Sequence, residues 1–234
     1  MSSDVYHKFK KDDIETFLDN DLYLPTRTIF MGSSGSYEGS ENGVDYLLAE
    51  RIIKSLHILD TQDEKARKGE KPITIFMNCI GGEVIHGMAI HDAIRNCSNH
   101  VTIKVFGHSM SMGAVILQSA DHRMMSANSR IMIHIGSDGY SGHAKNSYKW
   151  NNESKKDGKW MEELFLSKIK GHKITLEKYL LLVDKPDEIP KGNAKNKMIE
   201  IDIEKLRTML DFDTIIDAET ALELNLIDEI IKGK

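Results

Sequence analysis

The residue types most suited to chemistry lie in Gly107-His108-Ser109-Met110-Ser111-Met112-Gly113-Ala114, with the apolar run Val115-Ile116-Leu117 behind them. Thr102 to Phe106, just ahead, alternates and is rich in Val, Ile and Phe, the pattern of a strand. The chain is therefore expected to leave a strand, turn sharply on small residues and start a helix. A serine at such a turn lies at a helix N-terminus, where unpaired N–H groups and the helix dipole favour negative charge. A hydrolase puts a nucleophilic serine in that position, and an ordinary helix puts a capping serine there. Ser109 and Ser111 both compete. Ser111 holds the helix start, and Met112-Gly113-Ala114 after it is small enough for helix and strand to close up.

A nucleophilic serine needs a base, an orienting acid and donors for an oxyanion. Of the ten histidines, His7, His57, His100 and His172 lie in polar segments, and His108 directly precedes the turn. His86 and His91 are five apart, not the four that puts two metal ligands on one helix face. His134 differs because it follows Ile131-Met132-Ile133 in an apolar strand, where a polar ring must find a partner. That partner is a reacting group or simply backbone. Gly81-Gly82 follows a strand and opens a helix, so it supplies free N–H groups with no side chain in the way, as does any tight turn. Spacing alone does not choose the acid.

These residues need a scaffold. Thr26 to Met31 and Ile73 to Cys79 read as strands. Val44, Leu47, Leu48, Ile52, Leu56 and Leu59 recur at helical steps between them. A helix is expected over about Glu83 to Asn96, with Ile85, Met88, Ala89, Ala93 and Ile94 inward. The opening strand and turn come next, then short strands over Arg123 to Ala127 and Ile131 to Ile135. Strand and helix alternating in this way imply an α/β fold with a parallel sheet and crossover helices. Beyond Ile135 the chain turns polar. Apolar positions from Met161 to Val183 suggest two helical pieces or one bent helix, and Asp184 to Lys197, with Pro186 and Pro190, reads as a loop. Asp217 is a helix cap for Ala218 to Leu224, Asn225 suits the left-handed helix exit, and Leu226 to Ile231 is a last strand.

At 234 residues the chain is long enough for one sizeable domain, with room for an appendage. Forty per cent hydrophobic and 29% charged residues are ordinary for a globular chain, and a net charge of −5 gives no footprint for nucleic acid. No stretch has the length and apolarity of a membrane span, and the polar N-terminus lacks a signal peptide's apolar core. Cys79 and Cys97 are expected to be reduced residues of a cytoplasmic protein. Neither a metal nor a cofactor is expected.

The strand and glycine turn Met77-Asn78-Cys79-Ile80-Gly81-Gly82 comes first, then Met110-Ser111-Met112-Gly113-Ala114. Asn128-Ser129-Arg130-Ile131-Met132-Ile133-His134 follows. Last come Asp213-Thr214-Ile215-Ile216-Asp217-Ala218-Glu219-Thr220-Ala221 and Asn225-Leu226-Ile227-Asp228. In this order they resemble the I-N-S-P-G-G, A-S-M-G-A, N-S-R-x-M-I-H and D-x-F-L-S-A-x-E-A…G-L-[VI]-D motifs of the ClpP family, the proteolytic subunits of ATP-dependent Clp proteases. The resemblance covers about Arg27 to Ile135 and Asp213 to Ile231.

It implies a ClpP/crotonase-like ββα spiral with a protruding strand-helix handle. Residues 1–23 would form an axial arm and 24–234 a serine peptidase domain whose handle occupies about 136–200. Ser111 would be the nucleophile, His134 the base and Asp213 the orienting acid. Asp211 competes for that last role, but counting from Ala218-Glu219 favours Asp213. The Gly82 and Met112 N–H groups would bind the oxyanion, and Gly81, Ile135, Gly136 and Ser137 would touch substrate, with Gly136 to His143 as the substrate-lining strand. The implied partners are further copies of the chain in a heptameric ring, single or paired into a tetradecamer, a separate AAA+ unfoldase, and unfolded polypeptides. No P-loop is present in the chain itself. Cys79 and Ile80 depart from the family's serine and proline, and Asn225 from its glycine. The stretch from His134 to Asp213 is longer than the family's, which marks a divergent version, cellular or viral, and the extra length is expected within Asp184 to Lys197. The same resemblance leaves other classes to be weighed: a ring subunit with a structural role, a viral maturation protease, and a crotonase-type acyl-CoA enzyme. The last would need neither Ser111 at a helix start nor a histidine after Asn-Ser-Arg.

Overall fold

The computed structural model describes residues 11–32, 43–61, 71–136 and 142–233. A helix α1 (Lys11–Asn20) leads into the short β1 (Leu22–Tyr23), which ties residues 22–23 to the sheet. β1 pairs antiparallel with β2 (Thr28–Gly32). α2 (Tyr46–Thr61) connects β2 to β3 (Ile73–Cys79), and α3 (Val84–Arg95) connects β3 to β4 (Val101–Met110). β2, β3 and β4 run parallel, as crossover helices require. β3 shows the alternation read from its sequence: Ile73, Ile75, Met77 and Cys79 are buried under the helices.

β4 is longer than its apolar stretch suggests. It carries on through Gly107 and His108 to Met110 and hands over to α4 (Met112–Leu117) across the single residue Ser111. The small residues before Ser111 are therefore strand, because β4 acquires a new neighbour there. Through Val105 it pairs with β5 (His122–Ser126), and from His108 it pairs in parallel with β6 (Arg130–Ile133).

α3 buries a face that only partly overlaps the expected one. Ile94 is buried and Met88 and Ala93 pack half-buried against the core as expected, but Gly87, Ile90 and His91 also point inward, while Ile85 is 68% exposed. The reason is contact with α4: a Cβ on Gly87 would come within 2.4 Å of the Met112 side chain, so that stripe is where the two helices close up. Helical period alone does not reveal such a choice between adjacent stripes.

The second half begins with α5 (Ala144–Ile169), 26 residues or about 39 Å of helix. Its first turns stand in solvent, with Tyr148 and Trp150 exposed, while Met161, Phe165 and Ile169 return to the core. Trp160 meets the buried His91 of α3 edge-on, ring centres 5.1 Å apart. The helical signal up to Val183 resolves into two pieces separated by a strand: β7 (Lys173–Thr175) precedes α6 (Leu176–Leu182). The Pro-containing stretch that follows holds two 3-10 turns, Pro186–Glu188 and Gly192–Asn196. It ends at β8 (Met198–Glu200), antiparallel to β7. The stretch read as extra length thus lies between two paired strands. Then come α7 (Ile203–Leu210), β9 (Thr214–Ile216), α8 (Ala218–Glu223) and β10 (Glu229–Ile231). β9 is antiparallel to β6, and β10 adds to β5 in parallel. Asp217 caps α8 by accepting the Thr220 N–H, and Asn225 takes a left-handed φ of 55°.

Candidate active site

Ser111 is forced out of regular structure. Its φ of 52° and ψ of −121° fit neither the strand before it nor the helix after it, a conformation that costs a non-glycine residue about 1–3 kcal/mol. Three contacts hold it there. Its N–H donates to the Met132 carbonyl of β6 at 2.8 Å, its carbonyl accepts the Ala114 N–H at 2.9 Å, and α4 behind it is wholly buried. Ser111 thus projects its hydroxyl instead of folding it back as a cap, and no cap bond from it to the helix forms. Ser109, the competing serine, is fully buried, and its Oγ has no hydrogen-bond partner among the described residues.

His134 lies one residue past β6. Its Nε2 is 2.8 Å from Ser111 Oγ, and its Nδ1 is 2.7 Å from Asp213 Oδ1. An ionised carboxylate only accepts, so the Nδ1–H points at Asp213 and the Nε2 lone pair faces the serine O–H. The β6–β9 pairing makes this meeting possible, since it sets Ile133 opposite Thr214 and brings the neighbours of both strands together. Asp211, the alternative acid, ends α7 and makes no bond to His134.

The glycine turn abuts this serine. A Cβ on Gly81 would fall 2.5 Å from Ser111 Cβ and 3.0 Å from the Met112 nitrogen. Gly81 itself is buried: its N–H meets Cys79 Sγ and its carbonyl accepts the Val44 N–H, so it shapes the turn and offers no free group. Gly82 follows, exposed, and pairs with Val44 through an isolated bridge. Met112 opens α4, so its N–H has no preceding turn to bond. The two N–H groups read from sequence as oxyanion donors therefore sit on adjoining segments beside the serine.

An open cleft of about 590 Å³ runs from the His134 side, bounded by Ile135 and Gly136 on one wall and residues 210–213 on the other. The Ile135 N–H holds the two walls together through the Leu210 carbonyl at 3.0 Å. Ser137 and most of the expected substrate-lining strand lie outside the described residues. Both cysteines are free. Burial pushes the Cys79 thiol up, and burial together with Asp60 pushes Cys97 to about 11. Among the described residues no cluster of His, Cys, Asp and Glu could hold a metal, and no helix is long and apolar enough to cross a membrane.

The sequence reading missed the bonds that Asn78, Ser129 and Asn225 make. Asn78 Oδ1 accepts the His108 N–H, Ser129 Oγ accepts the Gly107 N–H, and Asn225 Nδ2 donates to the Lys168 carbonyl at the end of α5. All three residues stood inside recognised motifs, which was the available signal.

The Clp protease family model matches residues 39–185. This chain belongs to the Clp protease family. Its mixed α/β architecture is the family fold. It is similar to the ATP-dependent Clp protease proteolytic subunit of Deinococcus radiodurans, 38% identical over 128 residues, which is 53% of this chain and 56% of that protein. It is also similar to the chloroplastic ATP-dependent Clp protease proteolytic subunit 3 of Arabidopsis thaliana, 35% identical over 115 residues, 48% of this chain and 33% of that protein. The chain thus matches about half the length of the first and a third of the second.

Proposed function

We propose that this chain is a serine endopeptidase, the proteolytic subunit of a Clp-type system. The observation that carries the reading is the relay from Ser111 Oγ through both nitrogens of His134 to Asp213, 2.8 and 2.7 Å long. In the proposed reaction Ser111 Oγ attacks the scissile carbonyl carbon while His134 Nε2 takes its proton. The carbonyl oxygen becomes an oxyanion that accepts hydrogen bonds from the Gly82 and Met112 N–H groups. Collapse of the intermediate breaks the C–N bond, and His134 returns the proton to the leaving amine. Water then repeats the sequence on the acyl-serine, releasing the acid and restoring the hydroxyl. Asp213 keeps the imidazole in the working tautomer and offsets the positive charge it acquires.

The relatives' names describe subunits of ATP-dependent proteases, and no P-loop occurs in this sequence. Membership of the Clp protease family supports the further reading that the chain works as a ring of identical subunits, heptameric and single or paired, served by a separate AAA+ unfoldase that delivers unfolded polypeptides. The free thiols suit a reducing compartment such as the cytoplasm. A fluorophosphonate reacts with an activated serine, so treatment of the purified protein followed by peptide mapping tests the reading. The adduct is expected on Ser111. Cleavage of a small peptide by a protein whose Ser111 stays unmodified would overturn it.

A further inference from the structure

We propose that Asn78 and Ser129 are positioning residues that aim Ser111 by clamping a bulge in β4 from both sides. The assignment rests on the peptidase reading above. Between β3 and β4 the register is regular up to Met77 opposite Val105, and the next pair is Cys79 opposite Ser109. β4 therefore spends four residues where β3 spends two. The same stretch is where β4 gives up β5 and takes β6, so its backbone groups lose regular ladder partners.

Side chains from the two flanking segments replace those partners. Ser129 is fully buried; its Oγ accepts the Gly107 N–H at 2.9 Å and donates to the Val105 carbonyl at 3.2 Å, so one hydroxyl spans Phe106. Ser126 Oγ, 2.6 Å away, supplies its remaining contact. From the β3 side, Asn78 Oδ1 accepts the His108 N–H at 3.0 Å. Gly107 has φ +95°, and a Cβ on it would lie 2.5 Å from that same Oδ1, so the bulge and Asn78 fit only in close contact. Immediately after the bulge come Ser109, Met110 and Ser111. In a strand, a slip of one residue turns every side chain to the opposite face. The size of the bulge thus decides that Ser109 points inward and Ser111 arrives at the turn.

Asn78 is exposed, so its substitution need not unfold the chain. In the full-length protein, Asn78→Ala should lower both the rate of fluorophosphonate attachment to Ser111 and kcat on a small fluorogenic peptide by about 10- to 100-fold. KM should stay within about twofold and Tm within a few degrees. Asn78→Asp keeps an acceptor oxygen and should recover most of the rate, which a merely structural role would not produce. Ser129→Ala should lower Tm as well as kcat, because it strips the buried Val105 carbonyl of a donor and the Gly107 N–H of its acceptor. Wild-type reactivity in Asn78→Ala, or no recovery in Asn78→Asp, would overturn the assignment and leave the peptidase reading standing. No attachment to Ser111 in the unmodified protein would remove both.

Discussion

Gly81 stands directly against Ser111: a Cβ added to it would meet the Ser111 Cβ at 2.5 Å and the Met110 carbonyl oxygen at 2.7 Å. Neither neighbour can retreat. Met110 is paired with Met132 in β6, and Ser111 is bonded to the Met132 carbonyl. Even the smallest side chain at Gly81 must therefore push the glycine turn away from the start of α4, separating the Gly82 and Met112 N–H groups. Gly81→Ala is expected to cut peptidase activity by about 100-fold or more. Its φ of +93° adds backbone strain that lowers Tm. Peptide hydrolysis measured beside a thermal melt checks both. Near-normal kcat in this variant would mean that the turn does not help form the oxyanion site.

The two serines of the turn are expected to behave in opposite ways. Ser111→Ala removes the proposed nucleophile and should abolish turnover and fluorophosphonate labelling while leaving the fold intact. Ser109→Ala removes a buried hydroxyl that has no partner among the described residues, so the substitution sheds a desolvated polar group at little cost in contacts. Its melt should be unchanged or rise, by up to about 1 kcal/mol of stability, and labelling of Ser111 should persist. A Ser109→Ala protein that unfolds readily would show that the hydroxyl has a partner.

Asp213 and Asp211 stand on either side of Phe212, yet only Asp213 bonds His134. An asparagine at 213 can present its NH₂ to Nδ1, which moves the ring proton to Nε2 and leaves no lone pair for the Ser111 proton. Asp213→Asn should therefore lower kcat on the order of 1,000-fold, somewhat less than in a triad with a buried acid, because this carboxylate is 69% exposed and water can take its place. Asp211→Asn changes a cleft wall without touching the relay and should cost no more than about threefold. Steady-state kinetics on one small peptide rank the two, and equal losses would contradict the assignment.

Much of the first half was legible because its periods are clean. β3 begins and ends where its Ile-Thr-Ile-Phe-Met-Asn-Cys pattern does, and Asp217 and Asn225 do what their chemistry suggests at helix ends. The site was legible mainly through its motifs. Spacing could not join Asp213 to His134, because the β6–β9 pairing does that across the whole second half of the chain. β7 and β8 are three residues each, too short to carry an alternation, and their pairing is a long-range event. The first turns of α5 read as a charged stretch because they stand in solvent and need no apolar face. Asn225 looked like a tolerated substitute for glycine. Its side chain also joins the end of α5 to Arg123, contacts that a glycine could not make.

Arg123 gives the C-terminal segment its anchor, and that anchor should show a pH signature. Its side chain is only 6% exposed, and its guanidinium bonds both carboxylate oxygens of Asp228 as well as Gln118 Oε1 and the Asn225 carbonyl. Burial alone would raise the Asp228 pKa, but the Arg123 side-chain and backbone hydrogen bonds and the Arg123 charge outweigh it and hold the carboxyl below its ordinary value. A carboxyl whose folded pKa lies below its unfolded one contributes stability that is fully present above the unfolded value. The contribution is lost as pH falls through the folded value. Asp228→Asn leaves Arg123 buried without its counter-charge and should cost about 2–3 kcal/mol near neutrality, less than for a fully buried pair because Asp228 keeps some contact with water. The difference between the two proteins should be flat from neutrality down to about pH 5 and narrow below it, as the wild type protonates Asp228. Urea melts at intervals from pH 7 to pH 3 measure it, and a gap that widens on acidification would show that another pair anchors this segment.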